Sequence, residues 1–254
     1  SLVIETLVER MTSMAVTLNE TSLDQDHPCS MILLHLRYLD MIYDPSSLTN
    51  KLLEVLDVCP TPLQIEILTA IPEVVVSADY AVVLEKYENL LISEPNLVAT
   101  ILDSITNLCL PAPMIRGASD LALQMLESAD HAQVPALTRF LLEICNNENA
   151  VNIIEQVRHN LCSLVALPVD DSDSRSSISM VIDILRGAFQ FRDGISKAYF
   201  KVLEQDTSRT LVPVDFWLLF SLFDLVKFRT KVLTLFNKRS ANTRQVIRSL
   251  SEAL

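Results

Sequence analysis

The residue types that could do chemistry are present, but their spacing assembles no reactive site. Four histidines occur, His27, His35, His131 and His159. His159 and Cys162 are three apart, which puts two possible metal ligands on one helical face. No second pair of matching spacing accompanies them, so a metal centre is not expected. Asp170, Asp171 and Asp173 could attract a cation, yet they lack the ligand spacing and the glycine of a calcium loop. Carboxylates are plentiful on exteriors of helices, and any two could be imagined as an acid–base pair. Without a pocket such a pairing is not a site. No catalytic, cofactor-binding or metal-ligating residue is therefore expected.

Glycine usage points the same way. Only three glycines, Gly117, Gly187 and Gly194, occur in 254 residues. Loops that cradle phosphate need glycine because the backbone must turn through positive φ or approach the ligand closely. No such loop can be written here, nor the glycine-flanked serine of a hydrolase elbow. Gly-rich turns, on which sheet proteins lean, are missing too.

The elements that would position any functional residue read as helices. Asp44-Pro45, Thr61-Pro62, Glu94-Pro95 and Ala112-Pro113 are helix entries, since proline's fixed φ and missing N–H suit the first turn. Asp44 is the expected N-cap of its helix. Thr61 and Gln64 have capping-box spacing. Apolar residues then recur at 3.6-residue spacing. Leu48, Leu52, Val55 and Leu56 share a face, as do Leu137, Phe140, Leu141 and Ile144, and Val151, Ile154, Val157 and Leu161. Twelve or thirteen helices are expected, forming an all-α, degenerate HEAT-like α-solenoid of stacked antiparallel helix pairs. A compact irregular bundle is the competing arrangement. The expected organisation is a helical stack over 1–167, an acidic polar loop over 168–177 (PVDDSDSRSS), and a continuing stack over 178–254.

Half of the residues are hydrophobic, so a large core is available. The apolar run from Leu211 to Val226 is interrupted by Pro213, Asp215 and Asp224, and it falls short of the ~20 residues needed to cross a bilayer. It is expected as a buried helix, and no membrane association is expected. The chain has no initiator Met, and a helical pattern opens at Leu2; a segment of a longer protein is expected. Five cysteines without a spacing framework, Cys29, Cys59, Cys109, Cys145 and Cys162, are expected as reduced core residues of an intracellular protein.

Net charge is −12 but unevenly spread. Residues 1–180 carry 8 basic and 25 acidic side chains; residues 181–254 carry 12 basic and 7 acidic. The basic excess gathers at Lys227, Arg229, Lys231, Lys238, Arg239, Arg244 and Arg248, with no carboxylate between Asp224 and Glu252. These are the candidate contacts for DNA phosphates or an acidic partner; a solvated helix face is the plainer alternative. Aromatics also concentrate here, from Phe189 to Phe236. They are expected chiefly as core, with an interface as the other possibility.

Several blocks resemble the Fanconi anaemia group D-two family. They are ILLHLRYLDMIYDPSSLTNKLLEVL (Ile32 to Leu56), LQIEILTAIPEVV (Leu63 to Val75), FLLEICNNENAVNIIEQVRHNL (Phe140 to Leu161) and MVIDILRGAFQFRDGISKAYFKVLE (Met180 to Glu204). They stand in the family's order and cover most of residues 29–240. None is a catalytic signature. The resemblance implies a non-enzymatic, nuclear DNA-repair scaffold that pairs with the Fanconi anaemia group I paralogue. It also implies that ubiquitin, attached to one lysine by its conjugating machinery, locks the pair as a clamp on double-stranded DNA at interstrand crosslinks. No small-molecule substrate or cofactor is implied.

The family's acceptor lysine precedes a run that stands here as Ile195-Ser196-Lys197-Ala198-Tyr199-Phe200-Lys201, and that register puts Asp193 at the acceptor position. A carboxylate cannot form the isopeptide bond. Lys197, one helical turn further on (~6 Å along the axis), is the substitute acceptor to consider. Loss or relocation of the modification in this lineage is the alternative. A helical adaptor that binds proteins or peptides without DNA affinity is the second functional reading. An enzyme whose active site forms only on folding is a distant third.

Overall fold

Helix entries are set by local chemistry that the punctuation foreshadows. In the computed structural model, which describes residues 2–15, 27–39, 41–165, 172–205 and 213–238, the Asp44 carboxylate accepts from the backbone N–H of Ser47 at 3.0 Å, with Pro45 in the first turn. His27 caps the preceding helix through Nδ1, which accepts from the N–H of Cys29 at 3.2 Å. These bonds satisfy donors that a helix start leaves without intrahelical partners. The capping box expected at Thr61 is not formed. Pro60 occupies the cap position without a side-chain hydrogen bond. Gln64 is instead buried, and its Nε2 donates to the Leu56 carbonyl at 2.9 Å. It thus satisfies an acceptor in the last turn of the previous helix, a tertiary use that outcompetes the local one.

Thirteen α-helices and no strand occur among the described residues. The chain divides into two compact units, residues 1–115 and 116–254. The first holds α1 (Leu2–Ala15), α2 (Pro28–Arg37), α3 (Pro45–Val58), α4 (Thr61–Val74), α5 (Tyr80–Ser93) and α6 (Val98–Asn107). Helices α1, α3 and α5 pack in one layer and α2, α4 and α6 in the other, with α1–α2, α3–α4 and α5–α6 contacts between layers. Only Cys59 and Pro60 separate α3 from α4, so these neighbours must run antiparallel. This is the packing of stacked helix pairs, in which each helix buries its stripe against the next pair. Leu48, Leu52, Val55 and Leu56 are all buried as their spacing predicts, and so are Ile101, Leu102 and Ile105 of α6. A buried hydrogen bond of 2.7 Å between the Tyr87 and Ser104 hydroxyls ties α5 to α6.

Helix α7 (Ala112–Ser128) spans the division between the units. The second unit continues with α8 (Val134–Glu143), α9 (Ala150–Val165), α10 (Ser172–Phe191), α11 (Asp193–Gln205), α12 (Pro213–Phe223) and α13 (Val226–Lys238). Here α8, α10 and α12 form one layer, α9 packs on α11 in the other, and α13 packs on α12. The alternation of layers is that of the first unit.

Three local expectations change. The segment 168–177 is helical from Ser172 onward, where α10 begins, while 166–171 lie outside the described residues. Serine and aspartate, read there as loop formers, are also the residues that open helices. The apolar run Leu211 to Val226 is not one helix, because α12 ends at Phe223 and α13 starts at Val226. Cys109 is exposed in the α6–α7 connection, whereas Cys29, Cys59 and Cys145 are buried and Cys162 is half-buried. Burial pushes the Cys59 thiol up to about 12 and raises Cys29 and Cys145, which makes them poor nucleophiles.

Glycine scarcity has a simple counterpart in the backbone. No described residue has positive φ. At Gly194 the need is close approach, since a Cβ would lie 2.7 Å from Asn147 Oδ1 in the α8–α9 connection.

Candidate functional site: the lysine-rich face of α11 and α13

The α10–α11 junction is fixed from below. Asn146 Oδ1 accepts from the N–H groups of Glu148 and Asn149, at 2.9 and 3.0 Å, and organises the turn into α9. Arg192 then reaches back from the junction and donates to the carbonyls of Leu142, Glu143 and Cys145. A guanidinium is suited to this, because its several donors can reach several carbonyls at the end of α8 at once; that of Leu142 also accepts from the Cys145 N–H at 3.3 Å. The next residue, Asp193, begins α11.

On α11, buried Ile195, Ala198, Tyr199, Phe200, Val202 and Leu203 define the inward face. Asp193, Lys197, Lys201 and Glu204 stand on the outward face and are exposed. Helix α13 brings Lys227, Arg229 and Lys231, all exposed, alongside. Lys227 forms an ion pair with Asp193. That hydrogen bond, with the charges of Lys227 and then of Lys197 and Lys231, holds the Asp193 carboxyl below the usual aspartate range.

The cations rest on aromatic rings. Lys231 Nζ lies 5.3 Å from the Phe200 ring centroid, Lys227 Nζ 5.2 Å from that of Phe228, and the Arg229 guanidinium 5.5 Å from that of Phe223. Phe200 and Phe228 are themselves in contact, with centroids 5.8 Å apart, and both are buried. Ring faces attract cations, so the core aromatics hold the charged heads at the surface. A cavity of about 150 Å³ opens between the two helices, lined by Phe200, Glu204, Thr230, Lys231, Thr234 and Leu235. The arrangement can bind anionic groups and can present lysine amines.

Of the basic residues expected from the sequence, the fold brings Lys197, Lys227 and Lys231 together around Asp193, whereas Arg229 turns to Phe223 at the end of α12. Lys238 ends α13, but its side chain lies outside the described residues, as do Arg239, Arg244 and Arg248. His159 is exposed and Cys162 half-buried on α9. No group of three His, Cys, Asp or Glu side chains that could hold a metal occurs among the described residues. The aromatic group divides: Phe189, Tyr199, Phe200, Phe216 and Phe228 are core, whereas Phe191, Trp217 and Phe220 are exposed.

One polar feature beneath this face has no counterpart among the expected site residues. Asp215 on α12 is fully buried and accepts two hydrogen bonds from Arg158 on α9, at 2.8 and 2.7 Å. Tyr199 of α11 adds its hydroxyl at 3.4 Å from the same carboxylate. The Asp215 hydrogen bonds raise the Arg158 pKa, and burial pushes Tyr199 well above its ordinary value. The available signal was a lone carboxylate inside an apolar run. Its partner is 57 residues away in sequence, so pattern alone could not find it.

The comparisons with known proteins accord with this architecture. The family described as "Fanconi anaemia protein FancD2 nuclease" matches residues 1–234. The chain is 25% identical over 199 residues to the Fanconi anemia group D2 protein of Gallus gallus, covering 70% of this chain and 14% of that protein. Against the Mus musculus homolog it is 24% identical over 196 residues, covering 69% of this chain and 14% of that protein. The Rattus norvegicus homolog is 22% identical over the same length. The chain thus spans only a small part of the relatives that it matches. With 234 residues matched by the family and the helical blocks accounted for, the chain belongs to the FancD2 family of Fanconi anaemia proteins.

Proposed function

We propose that this chain is part of a non-enzymatic DNA-repair scaffold that acts in the nucleus, pairs with the Fanconi anaemia group I paralogue, and clamps double-stranded DNA in interstrand-crosslink repair when monoubiquitinated. The observation that carries this reading is the convergence of Lys197, Lys227 and Lys231 around Asp193 on one exposed face of a FancD2-family chain, with Arg229 exposed nearby on α13. Such a face suits phosphate, because each cation that neutralises one releases counterions from the duplex. It carries no base-reading geometry, so its contribution to DNA binding is positional.

The acceptor is Lys197 on this reading. It is exposed on α11, four residues beyond Asp193. Asp193 cannot take ubiquitin and is engaged by Lys227. The adaptor reading, in which the helices bind protein without DNA, draws on the apolar side chains exposed around α2: Met31, Leu34, Tyr38, Met41 and Tyr43.

Reconstitution of the full-length protein with the group I paralogue, the ubiquitin-conjugating machinery and duplex DNA, followed by mass-spectrometric mapping, tests the proposal. Ubiquitin on Lys197, abolished by Lys197→Arg, is the expected result. A heterodimer that forms and binds duplex while this segment stays unmodified would remove the switch but leave the scaffold. Absence of both pairing and duplex binding would favour the adaptor, and DNA cleavage would overturn the non-enzymatic reading.

A further inference from the structure

The first unit carries a groove with a chemistry opposite to that of the α11–α13 face. It runs between α3 and α5 and encloses about 410 Å³. Asn50, Leu53, Glu54 and Asp57 form one side; Val82, Glu85, Lys86 and Asn89 form the other. On α3 the outward residues recur at Asn50, Glu54 and Asp57, and on α5 at Val82, Glu85 and Asn89, so each wall is a single helical ridge. Asp57 pairs with Lys86 across the groove. Glu54 and Glu85 are exposed and have no ion-pair partner among the described residues. Leu53 is buried at the base of its wall, and Val82 is 47% exposed on the other.

We propose that this groove binds a short, extended, Lys/Arg-bearing peptide segment of a partner protein. Charge complementarity selects the occupant. The walls present three carboxylates against one lysine, and the lysine is already engaged. Residues 1–115 as a whole hold 16 acidic and 4 basic side chains, so the surrounding field favours the same ligand and speeds its arrival. The aliphatic stems of Lys and Arg can lie on Leu53 and Val82 while their heads reach Glu54 and Glu85. Asn50 stands on one wall and Asn89 on the other; the Asn89 amide N–H donates to the Glu85 carbonyl at 3.0 Å, while its oxygen and the Asn50 amide can pair with a peptide backbone. The ridge from Asn50 to Asp57 is roughly 10 Å long, which accommodates about three residues of extended chain. That size fits a basic tripeptide and excludes a folded domain or a duplex. The proposal does not depend on any nucleic-acid role of the second unit.

Fluorescence anisotropy with the full-length protein tests it, using as probe a fluorescein-labelled hexapeptide Gly-Arg-Leu-Arg-Lys-Gly at 50 mM salt. Saturable binding is expected, and the sequence-matched peptide with glutamate at its three basic positions should not bind. The Glu54→Lys, Glu85→Lys double variant should weaken binding at least tenfold, and Glu54→Gln, Glu85→Gln should weaken it less. Glu9→Lys with Asp103→Lys, which makes the same charge change at exposed sites on α1 and α6, should leave the affinity within about twofold. Equal losses in the two lysine double variants would show attraction by net charge alone and overturn the proposal. So would binding that does not saturate, or binding of the glutamate peptide.

Discussion

The two units share a helical packing scheme and differ in nearly everything else. Residues 1–115 carry 16 acidic and 4 basic side chains, whereas residues 116–254 carry 16 of each. The first unit keeps its charges outside: Arg37–Glu73 and Lys86–Asp57 are surface pairs, and its interior is aliphatic with a Tyr87–Ser104 hydrogen bond. The second buries a bidentate ion pair, Arg158–Asp215, within an aromatic interior where Phe189 stacks on Tyr199 at 5.0 Å. The same layer alternation can therefore be held by apolar stripes with a few neutral hydrogen bonds or pinned by a buried charged pair. In the second unit the pair lies under α11, the helix that presents the lysines. The two proposed roles follow this difference: an acidic unit for basic peptide, and a unit whose aromatic interior lies beneath a cationic face.

The largest expected effect breaks this contrast at its root. Asp215→Ala leaves the Arg158 charge without its buried partner and should destabilise the second unit by about 3–5 kcal/mol. The paired change Arg158→Met, Asp215→Leu should recover most of that loss, because an apolar pair needs no mutual solvation. Chemical denaturation followed by the lone Trp217 on α12 reads both. In the first unit Arg37→Ala should cost no more than about 1 kcal/mol, as expected of an exposed pair. A cost equal to that of Asp215→Ala would erase the distinction between the units.

A smaller effect concerns the cap. Asp44→Ala should cost about 1 kcal/mol by leaving the Ser47 N–H without its acceptor. Asp44→Asn should retain most of that stability. Hydrogen exchange at the start of α3 would report the change, while α11 should be unaffected.

The smallest effect sharpens the electrostatic comparison. Lys227 depresses the Asp193 pKa, and Arg37 depresses that of Glu73. In each case the folded value lies below the unfolded one, so the pair's contribution is fully present above the ordinary carboxylate range, about pH 4. It is lost as pH falls through the folded value. Lys227→Ala should return Asp193 towards the ordinary range and leave Glu73 unchanged; Arg37→Ala should do the reverse. Carboxyl titration by NMR checks both, and cross-talk between the two would contradict the assignment of each shift to its local partner.

What was legible in the sequence was whatever depends on nearest neighbours. The α3 stripe of Leu48, Leu52, Val55 and Leu56 is a matter of helical period, and the Asp44 cap depends on residues within one turn. Gln64 shows where that logic stops, for its partner is the Leu56 carbonyl in another helix, and a tertiary bond displaced the local capping box. The opening of α10 at Ser172 was hidden because loops and helix starts draw on the same small polar residues. At the candidate site, the lysines could be named from charge clustering. Their convergence on Asp193 could not, since Lys227 stands 34 residues away and α13 must first pack on the core aromatics. The Arg158–Asp215 bond was invisible for the same reason.

The central claim is that the α11–α13 face supplies cations to a DNA phosphate path in a FancD2-type scaffold. The most direct measurement is the salt dependence of duplex binding by the full-length protein paired with the group I paralogue, with and without Lys227→Ala, Arg229→Ala and Lys231→Ala together. The account predicts weaker binding and a log–log salt slope reduced in magnitude by roughly two to three, since each phosphate that is no longer neutralised takes about 0.9 from the slope. An unchanged affinity and slope at low salt would contradict it.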